Sequence, residues 1–260
     1  MQLINDIYRR NKILGHLGTI NLLLAGLLLA YSFFNEEVIL GINSMIKPLK
    51  FALSIWIYSW TMAFLLYYVN DQKKVRKYSW LAVVAMGFEQ FAIVSQALRG
   101  ELSHFNRSGI YGIVLYALMG IFIVILTIQT LRISIVFIRQ KKYSIDKPKV
   151  LSIQIGLILF VIFSFWGGYI SAANTHTVGA NDGGKGLPFI NWSTLVGDLR
   201  VAHFMGIHAL QIIPIFGFYI SQKLKETSAT NAVWGFSVVY FVYVLFTLIQ
   251  AMAGLPFWRM

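Results

Sequence analysis

The feature that most constrains this chain is a series of apolar runs, each long enough to cross a membrane as a helix. A run of about 18 residues or more, wound as an α-helix, spans a hydrocarbon core of about 30 Å. The continuous apolarity of the runs excludes the alternating strands of a porin-type barrel. The sequence therefore predicts an all-α, polytopic bundle of seven transmembrane helices, at about 13–34, 49–69, 78–98, 109–131, 150–173, 200–221 and 233–254.

The composition agrees with this interpretation. Hydrophobic residues make up 57% of the chain and charged residues only 12%, whereas a soluble domain carries about 25% charged residues. So little polar surface cannot cover a water-soluble globule. We expect one transmembrane domain over residues 1–260, without a soluble domain, in a multi-pass protein of the plasma (inner) membrane. The absence of cysteine excludes disulfides, thiolate metal sites and thiol catalysis.

The basic residues divide unequally between alternate connections. One side holds seven of the 22, and the other holds the remaining fifteen, which are Arg9, Arg10, Lys12, Lys73, Lys74, Arg76, Lys77, Arg132, Arg139, Lys141, Lys142, Lys147, Lys149, Lys223 and Lys225. The positive-inside rule predicts that the N-terminus is cytoplasmic and the C-terminus extracytoplasmic. The net charge of +12 is thereby explained by orientation and by anionic lipid headgroups on the cytoplasmic side, and it predicts no nucleic-acid partner.

The chemically varied segments all fall on the predicted extracytoplasmic side, where we expect the functional site. The longest of them, residues 174–199, contains Pro188, Phe189, Ile190 and Trp192 among five glycines. Such apolar residues favour burial, and the glycines permit tight turns. The sequence predicts that this loop is ordered and folds back over the mouth of the bundle.

The third span carries a polar stripe. Ile93, Gln96, Gly100 and Ser103 each fall within about 40° of Glu89 at helical spacing. A carboxyl group deep in a membrane is costly and usually faces a cavity or a partner. Two interpretations stay open. In the structural one, a protonated Glu89 is hydrogen-bonded to a neighbouring helix; in the functional one, it is a ligand, a proton carrier or a substrate contact.

Histidines cluster on the same predicted side, which indicates a metal or haem site because imidazole is the commonest metal ligand. They are His104, His176, His203 and His208. The last two lie about 140° apart around one helix, so they cannot chelate one metal together, and each needs a partner on another helix. A packing role fits each of them equally well. Asp198 precedes the sixth span, where we expect it to cap the helix.

Three segments carry a resemblance to known proteins. The strings RGELSHFN (99–106), THTVGANDGGKGLP (175–188) and GDLRVAHFMGIHALQIIP (197–214) resemble signature segments of a widespread bacterial family of seven-span integral membrane proteins. That resemblance implies the fold and the location but no reaction. The Gly-rich loop that leads to His203 and His208 is also similar in style to haem A synthase-like proteins, in which such a loop precedes a haem-ligating histidine.

Two function hypotheses follow. The first is a metal- or haem-dependent protein whose site opens outward and which, in its most specific form, is an enzyme on a lipid or quinone-like substrate. Its catalytic residues would be Glu89 and His104, and zinc, iron or haem its cofactor. The metal ligands would come from His104, His203, His208, His176, Glu89 and Asp198. The residues expected to contact a small-molecule or lipid ligand are Arg99, Arg200, Gln96, Asn106 and Lys50.

The alternative is a transporter or sensor that binds a small ligand, or relays protons, through the same site. The plain cytoplasmic loops and the lack of an evident inverted repeat count mildly against transport. Under both hypotheses we expect Glu89, His104 and His203 to converge on one polar pocket in the outer half of the bundle.

Overall fold

The protein, described here from a computed structural model, is an all-α chain with two short β-ribbons in its connections. The structure describes residues 2–259, so the two ends of the expected domain, Met1 and Met260, lie outside the described residues. The elements are α1 (Gln2–Arg10), α2 (Lys12–Ser32), β1 (Val38–Ile39), β2 (Ile42–Asn43), α3 (Ile46–Leu65) with a 3₁₀ turn (Leu66–Tyr68), α4 (Gln72–Leu98), α5 (Gly109–Arg139), α6 (Lys147–Ala173), β3 (Thr177–Val178), β4 (Gly197–Asp198), α7 (Arg200–Ile220) and α8 (Glu226–Met252).

Within residues 2–259, seven helices, α2 to α8, are long and apolar enough to cross a membrane. They coincide with the seven predicted spans, so the all-α class and the number of spans are confirmed. The chain is a multi-pass membrane protein whose helices contact the lipid bilayer. The orientation of its termini and the identity of the membrane stay predictions.

Three helices extend well beyond their apolar runs. α4 begins at Gln72 rather than 78, α5 ends at Arg139 rather than 131, and α8 begins at Glu226 rather than 233. The extra turns of α4 and α8 are polar or basic, whereas those of α5 are an apolar stretch between Arg132 and Arg139. A helix keeps its backbone hydrogen bonds when it leaves the hydrocarbon, and long basic side chains reach the interface from it. The apolar runs therefore predict the part of each helix that lies in the hydrocarbon, and they do not predict the helical turns beyond it.

Helix α1 was not predicted. Its short sequence places Ile7 in the core while Arg9 and Arg10 each donate a hydrogen bond to Asp6 at 2.6 Å. These bonds, first that of Arg9 and then that of Arg10, lower the pKa of Asp6 below its usual value. The Arg10 guanidinium also lies 4.1 Å from the ring centroid of Phe64 in α3, which fixes α1 to that helix.

The chain forms two compact units. Unit 1 contains Met1–Tyr67, Gln72–Leu126 and Asp182–Asn191, and unit 2 contains Tyr68–Asp71, Thr127–Asn181 and Trp192–Met260. Both units contain membrane-spanning helices, and the prediction of a single domain over 1–260 stays a prediction.

The core of unit 1 lies between α2, α3 and α4. Ala25 and Leu28 of α2 pack with Leu49 and Ala52 of α3 and with Ala97 of α4. The first half of α5 adds an apolar contact with α4, where Leu115 and Met119 pack against Ala92 and Ile93. α4 therefore has neighbours on several sides, and polar groups on it are removed from water.

The core of unit 2 lies between α6, α7 and α8. Leu159 and Phe163 of α6 pack with Ala209 of α7 and Val244 of α8. Gly206 of α7 permits the closest approach, since a Cβ atom there would lie 2.0 Å from the ring of Phe163.

The long loop 174–199 is structured, as predicted. In unit 2, β3 pairs antiparallel with β4, and Trp192 is buried against Phe204 and Phe257. In unit 1, the carbonyl of Ile190 accepts a hydrogen bond from the Lys50 ammonium group at 3.0 Å. Each part of the loop thus lies against helices of its own unit.

Candidate functional site

The buried polar face of α4 is the most unusual feature of unit 1. Glu89, Gln90 and Gln96 are exposed by only 5%, 4% and 1%. Ile93 of the predicted stripe is also buried, which confirms that this face of the helix points inward. The stripe does not continue to Gly100 and Ser103 as a helix, however, because α4 ends at Leu98.

That ending corrects the expected geometry of the stripe. Gly100 adopts a φ of 68°, which turns the chain away from the helical path. The connection from residue 99 to 108 then folds beside the helix end, and the Gln96 side-chain amide donates to the carbonyl of Leu102 at 3.1 Å. Ser103 is buried by this fold rather than by helical position.

Glu89 is a buried carboxyl group with an open bonding position. Its Oε2 atom has no hydrogen-bond partner among the residues that the structure describes. The half-buried Lys47, at the start of α3, is near enough for its charge to act on the carboxyl group. The hydrogen bond to a neighbouring helix that the structural interpretation requires is therefore not formed by Oε2.

Two glutamines beside Glu89 repeat the pattern. Gln90 donates from Nε2 to the carbonyl of Pro48 at 3.1 Å, and Gln96 donates to Leu102 as described above. Their Oε1 atoms, like Oε2 of Glu89, are buried and have no partner within the described part of the chain. Three buried acceptors without donors are chemically alike. Acceptors of this kind bind a species that donates a hydrogen bond or carries positive charge, such as a proton, a water molecule or a small cation.

His104 lies in the 99–108 connection of unit 1. Its Nδ1 is 3.1 Å from Oγ of Ser103, and its ring packs near Phe51 of α3 and Tyr116 of α5, with centroid distances of 5.7 and 6.1 Å. Because α4 ends at Leu98, His104 does not continue the helical stripe of Glu89, and it is held against α3 and α5 by aromatic contacts.

All four residues of unit 1 predicted to bind a substrate make contacts of their own, and that of Gln96 is described above. Asn106 is buried and accepts from the backbone and hydroxyl of Ser108 at 2.8 and 2.6 Å. Arg99 is exposed, with its guanidinium 4.6 Å from the ring centroid of Tyr111. Lys50 donates to Ile190. These contacts shape the connections at this end of unit 1.

In unit 2, Asp198 and Arg200 form a closed pair. The Asp198 carboxylate accepts from Nε and Nη2 of Arg200 at 2.9 and 2.6 Å, and from the backbone amides of Arg200 and Ser193 at 3.0 and 2.9 Å. Asp198 is 1% exposed. The N-cap of α7 is Leu199 rather than the expected Asp198, although Asp198 accepts the amide of Arg200, the first residue of that helix. The four hydrogen bonds occupy the lone pairs of both carboxylate oxygens, which a metal ion would need for coordination.

The histidines of unit 2 differ from one another. His203 donates from Nδ1 to the carbonyl of Phe163 at 2.7 Å, which leaves the lone pair on Nε2. His208 lies 3.1 Å from Oε1 of Gln211 and contacts the ring of Phe204. The carbonyl of His176 accepts from the amide of Leu199 beside the β3–β4 ribbon. Of these, His203 has the orientation that metal- and haem-ligating histidines show.

Among the described residues, no group of three or more His, Asp and Glu side chains lies close enough to hold a metal ion. The ligand assignments therefore stay predictions. Glu89 and His104 belong to unit 1 and His203 belongs to unit 2, and their convergence on one pocket also stays a prediction.

Several residues of unit 1 were missed by the sequence analysis. Lys47 was counted only for topology, and Gln90 was not singled out. Three more residues have a buried polar atom that lacks a partner within residues 2–259, namely Asn21 of α2 and Trp56 and Ser59 of α3. Of these, only Asn21 could have been recognised from the sequence, because it is an amide in the middle of an apolar run.

Comparisons of the chain with models of known protein families, with curated proteins and with solved structures found no match.

Proposed function

We propose that this protein is a membrane transporter or sensor that works by taking up and releasing a proton at Glu89. The observation that carries the proposal is the buried Oε2 atom of Glu89, which has no hydrogen-bond partner in the described residues. An acceptor that is buried without a partner can bind a proton, or a water molecule that exchanges one, without breaking a hydrogen bond inside the protein.

A purely structural role explains the site less well. A buried polar atom without a partner costs about 1–3 kcal/mol, and unit 1 has three such acceptors within two turns of α4. Apolar residues of similar size would remove that cost. Intramembrane carboxyl groups are commonly found in proton relays and binding sites. With the basic ends of the helices in the cytoplasm, as the charge bias predicts, Glu89 would exchange its proton with the extracytoplasmic side.

Infrared difference spectroscopy of the protein in lipid membranes tests this proposal. A pH step should change the carbonyl stretching band of a protonated carboxyl group, and Glu89→Gln should abolish that change. Glu36→Gln, the same substitution at an exposed position between α2 and α3, is the matched control and should retain it. A wild-type response that persists in Glu89→Gln would rule out the proposal.

The metal- or haem-dependent enzyme is a second candidate, supported by the orientation of His203. A ring whose Nδ1 is held by a backbone carbonyl presents Nε2 for ligation, which is how such ligands are commonly oriented. Gly167 accommodates this ring, because a Cβ atom there would lie 2.6 Å from Cε1 of His203. The substrate would be a lipid or quinone-like molecule.

An absorption spectrum and a metal analysis of the purified protein distinguish the two candidates. A Soret band, or one equivalent of zinc or iron, that disappears in His203→Ala would favour the second. Protein that shows neither, yet retains the pH response of Glu89, would favour the first.

A further inference from the structure

Two polar side chains share the buried face of α4 at different depths. Tyr78, Ala82, Ala85 and Glu89 follow one another at helical spacing, and all four are buried. Eleven residues separate Tyr78 from Glu89, which corresponds to about 16 Å along the helix. The two alanines between them leave room beside α4 for side chains of α2 and α3.

The position of α3 beside α4 is fixed by two contacts. Gln90 donates to the carbonyl of Pro48, and the hydroxyl groups of Tyr58 and Tyr78 are hydrogen-bonded to each other. α3 therefore runs antiparallel to α4, and its residues between 48 and 58 lie level with residues between 90 and 78 of α4. Trp56 falls just beyond the tyrosine pair on the side toward Glu89.

The position of α2 follows from a close approach to α3. A Cβ atom on Gly18 would lie 3.3 Å from the carbonyl of Trp56, and Ala25 packs in one cluster with Ala52. Asn21 lies between Gly18 and Ala25 on the same buried face of α2. Its depth is thus between Trp56 and Ala52 of α3.

From this depth to the level of the Tyr58–Tyr78 pair, unit 1 contains a second set of unsatisfied polar atoms. Oδ1 of Asn21, Nε1 of Trp56 and Oγ of Ser59 are buried, and none has a hydrogen-bond partner in the part of the chain that is described. They include an acceptor, a donor and a hydroxyl group that can be either. Such a set is what water molecules satisfy in protein interiors. We call these three residues, with Glu89 and the Tyr58–Tyr78 pair, the polar seam.

The polar seam continues to the basic ends of the helices. Ser79 follows Tyr78 and accepts a hydrogen bond from the side chain of Asn11 at 2.8 Å. Asn11 in turn lines an open groove of about 280 Å³ together with Lys12, Val75 and Arg76. Polar groups therefore lie at successive depths of unit 1 between Glu89 and this groove.

We infer that the polar seam conducts protons between Glu89 and the groove at the basic ends of α2 and α4. The inference rests on the proposed role of Glu89 and extends it from proton binding to transmembrane proton movement. Glu89 releases its carboxyl proton to water and becomes a carboxylate beside Lys47. Each water or hydroxyl group along the seam accepts one proton and donates another. The excess proton leaves through the groove, water from the opposite side returns a proton to Glu89, and no covalent bond except O–H breaks.

The groove favours release of the proton over its retention. Lys12 and Arg76 are both exposed there, and their positive charge raises the free energy of an excess proton nearby. The same charge attracts anionic buffers that carry the proton away. With these helix ends in the cytoplasm, the inferred direction is inward.

Proton flux into liposomes tests the inference with the full chain. The purified protein is reconstituted in neutral phospholipid with a pH-sensitive dye inside, and a potassium gradient with valinomycin makes the interior negative. Wild-type liposomes should acidify faster than protein-free ones. Asn21→Leu and Tyr78→Phe should each lower the protein-dependent rate about tenfold, the factor that corresponds to about 1.4 kcal/mol in a barrier. Asn231→Leu, at an exposed position of α8, is the matched control and should leave the rate unchanged.

The outcomes separate this inference from the proposed function. If wild-type liposomes acidify no faster than protein-free ones while the carboxyl band of Glu89 still responds to pH, the conduction pathway is wrong and the proposed function stands. If flux occurs but Asn21→Leu and Tyr78→Phe match Asn231→Leu, the protons take another route and the inference is overturned. Should Asn21→Leu fail to fold, Tyr78→Phe decides the question, because it keeps the ring and removes only the hydroxyl group.

Discussion

Two buried carboxyl groups in this protein show how local bonding separates a structural residue from a functional one. Asp198 accepts four hydrogen bonds, three of them from Arg200, at 2.6–3.0 Å. Glu89 is buried to a similar degree, yet its Oε2 atom has no partner among residues 2–259. The sequence placed both in the candidate site because both are acidic residues in or beside apolar runs. Their partners distinguish them, and partners depend on tertiary structure.

We predict that the two carboxyl groups respond oppositely to neutralisation. Asp198→Asn leaves the Arg200 guanidinium without its charged partner and should lower the free energy of unfolding by about 2–3 kcal/mol. Glu89→Gln removes a buried group that lacks a bond at Oε2 and should leave stability unchanged or slightly raised. Thermal unfolding of both variants in the same detergent provides the measurement. A larger loss for Glu89→Gln than for Asp198→Asn would contradict the assignment of roles.

At the scale of elements, the sequence predicts the spans well because the bilayer dictates them. An apolar run long enough to cross must be helical, since no water satisfies its backbone. Helix ends in the interface are not dictated in this way, which is why Gln72 and Arg139 lie beyond the predicted ends of α4 and α5. Helix α1 was missed for the same reason, because it is short and amphipathic.

The candidate site could be predicted only in part for a related reason. Glu89 and Gln96 were predicted because a polar residue within an apolar run can be recognised from the sequence alone. The partnerless atoms of Asn21, Trp56 and Ser59 depend on how α2, α3 and α4 are rotated about their axes. Indole and hydroxyl groups in a span are also common, so sequence alone cannot separate satisfied ones from unsatisfied ones.

The β3–β4 ribbon gives a prediction at this scale. A Cβ atom on Gly197 would lie 2.0 Å from the carbonyl oxygen of Ala251 in α8, so Gly197→Ala must displace β4 from that helix. We expect the loop 174–199 to become open to limited proteolysis. Gly184→Ala is the control in the same loop, since no atom of residues 2–259 lies within 4 Å of the added methyl group. Equal cleavage of the two variants would show that the close contact with α8 does not hold the ribbon.

At the scale of the whole molecule, the distribution of charge determines how the site is used. Fifteen of the 22 basic residues lie in alternate connections, and unit 1 has its open groove at one of the ends that carry them. Glu89 is nearer the opposite end of α4. A protein that moves protons between these two positions needs a fixed orientation, since the direction of flow follows from it. The basic residues supply that orientation during insertion.

Orientation is therefore the prediction on which every statement about sidedness depends. The charge bias predicts a cytoplasmic N-terminus and an extracytoplasmic C-terminus, and seven spans require the two ends to be on opposite sides. A reporter that is active only outside the cytoplasm should be active when fused to the C-terminus and inactive when inserted near Lys142, between α5 and α6. Replacing Lys141, Lys142, Lys147 and Lys149 with glutamine should weaken the bias without changing the apolar runs, so a fraction of chains should insert in the reverse orientation. If the unmodified protein already shows activity at Lys142 and none at the C-terminus, Glu89 faces the cytoplasm and the inferred proton flow runs outward.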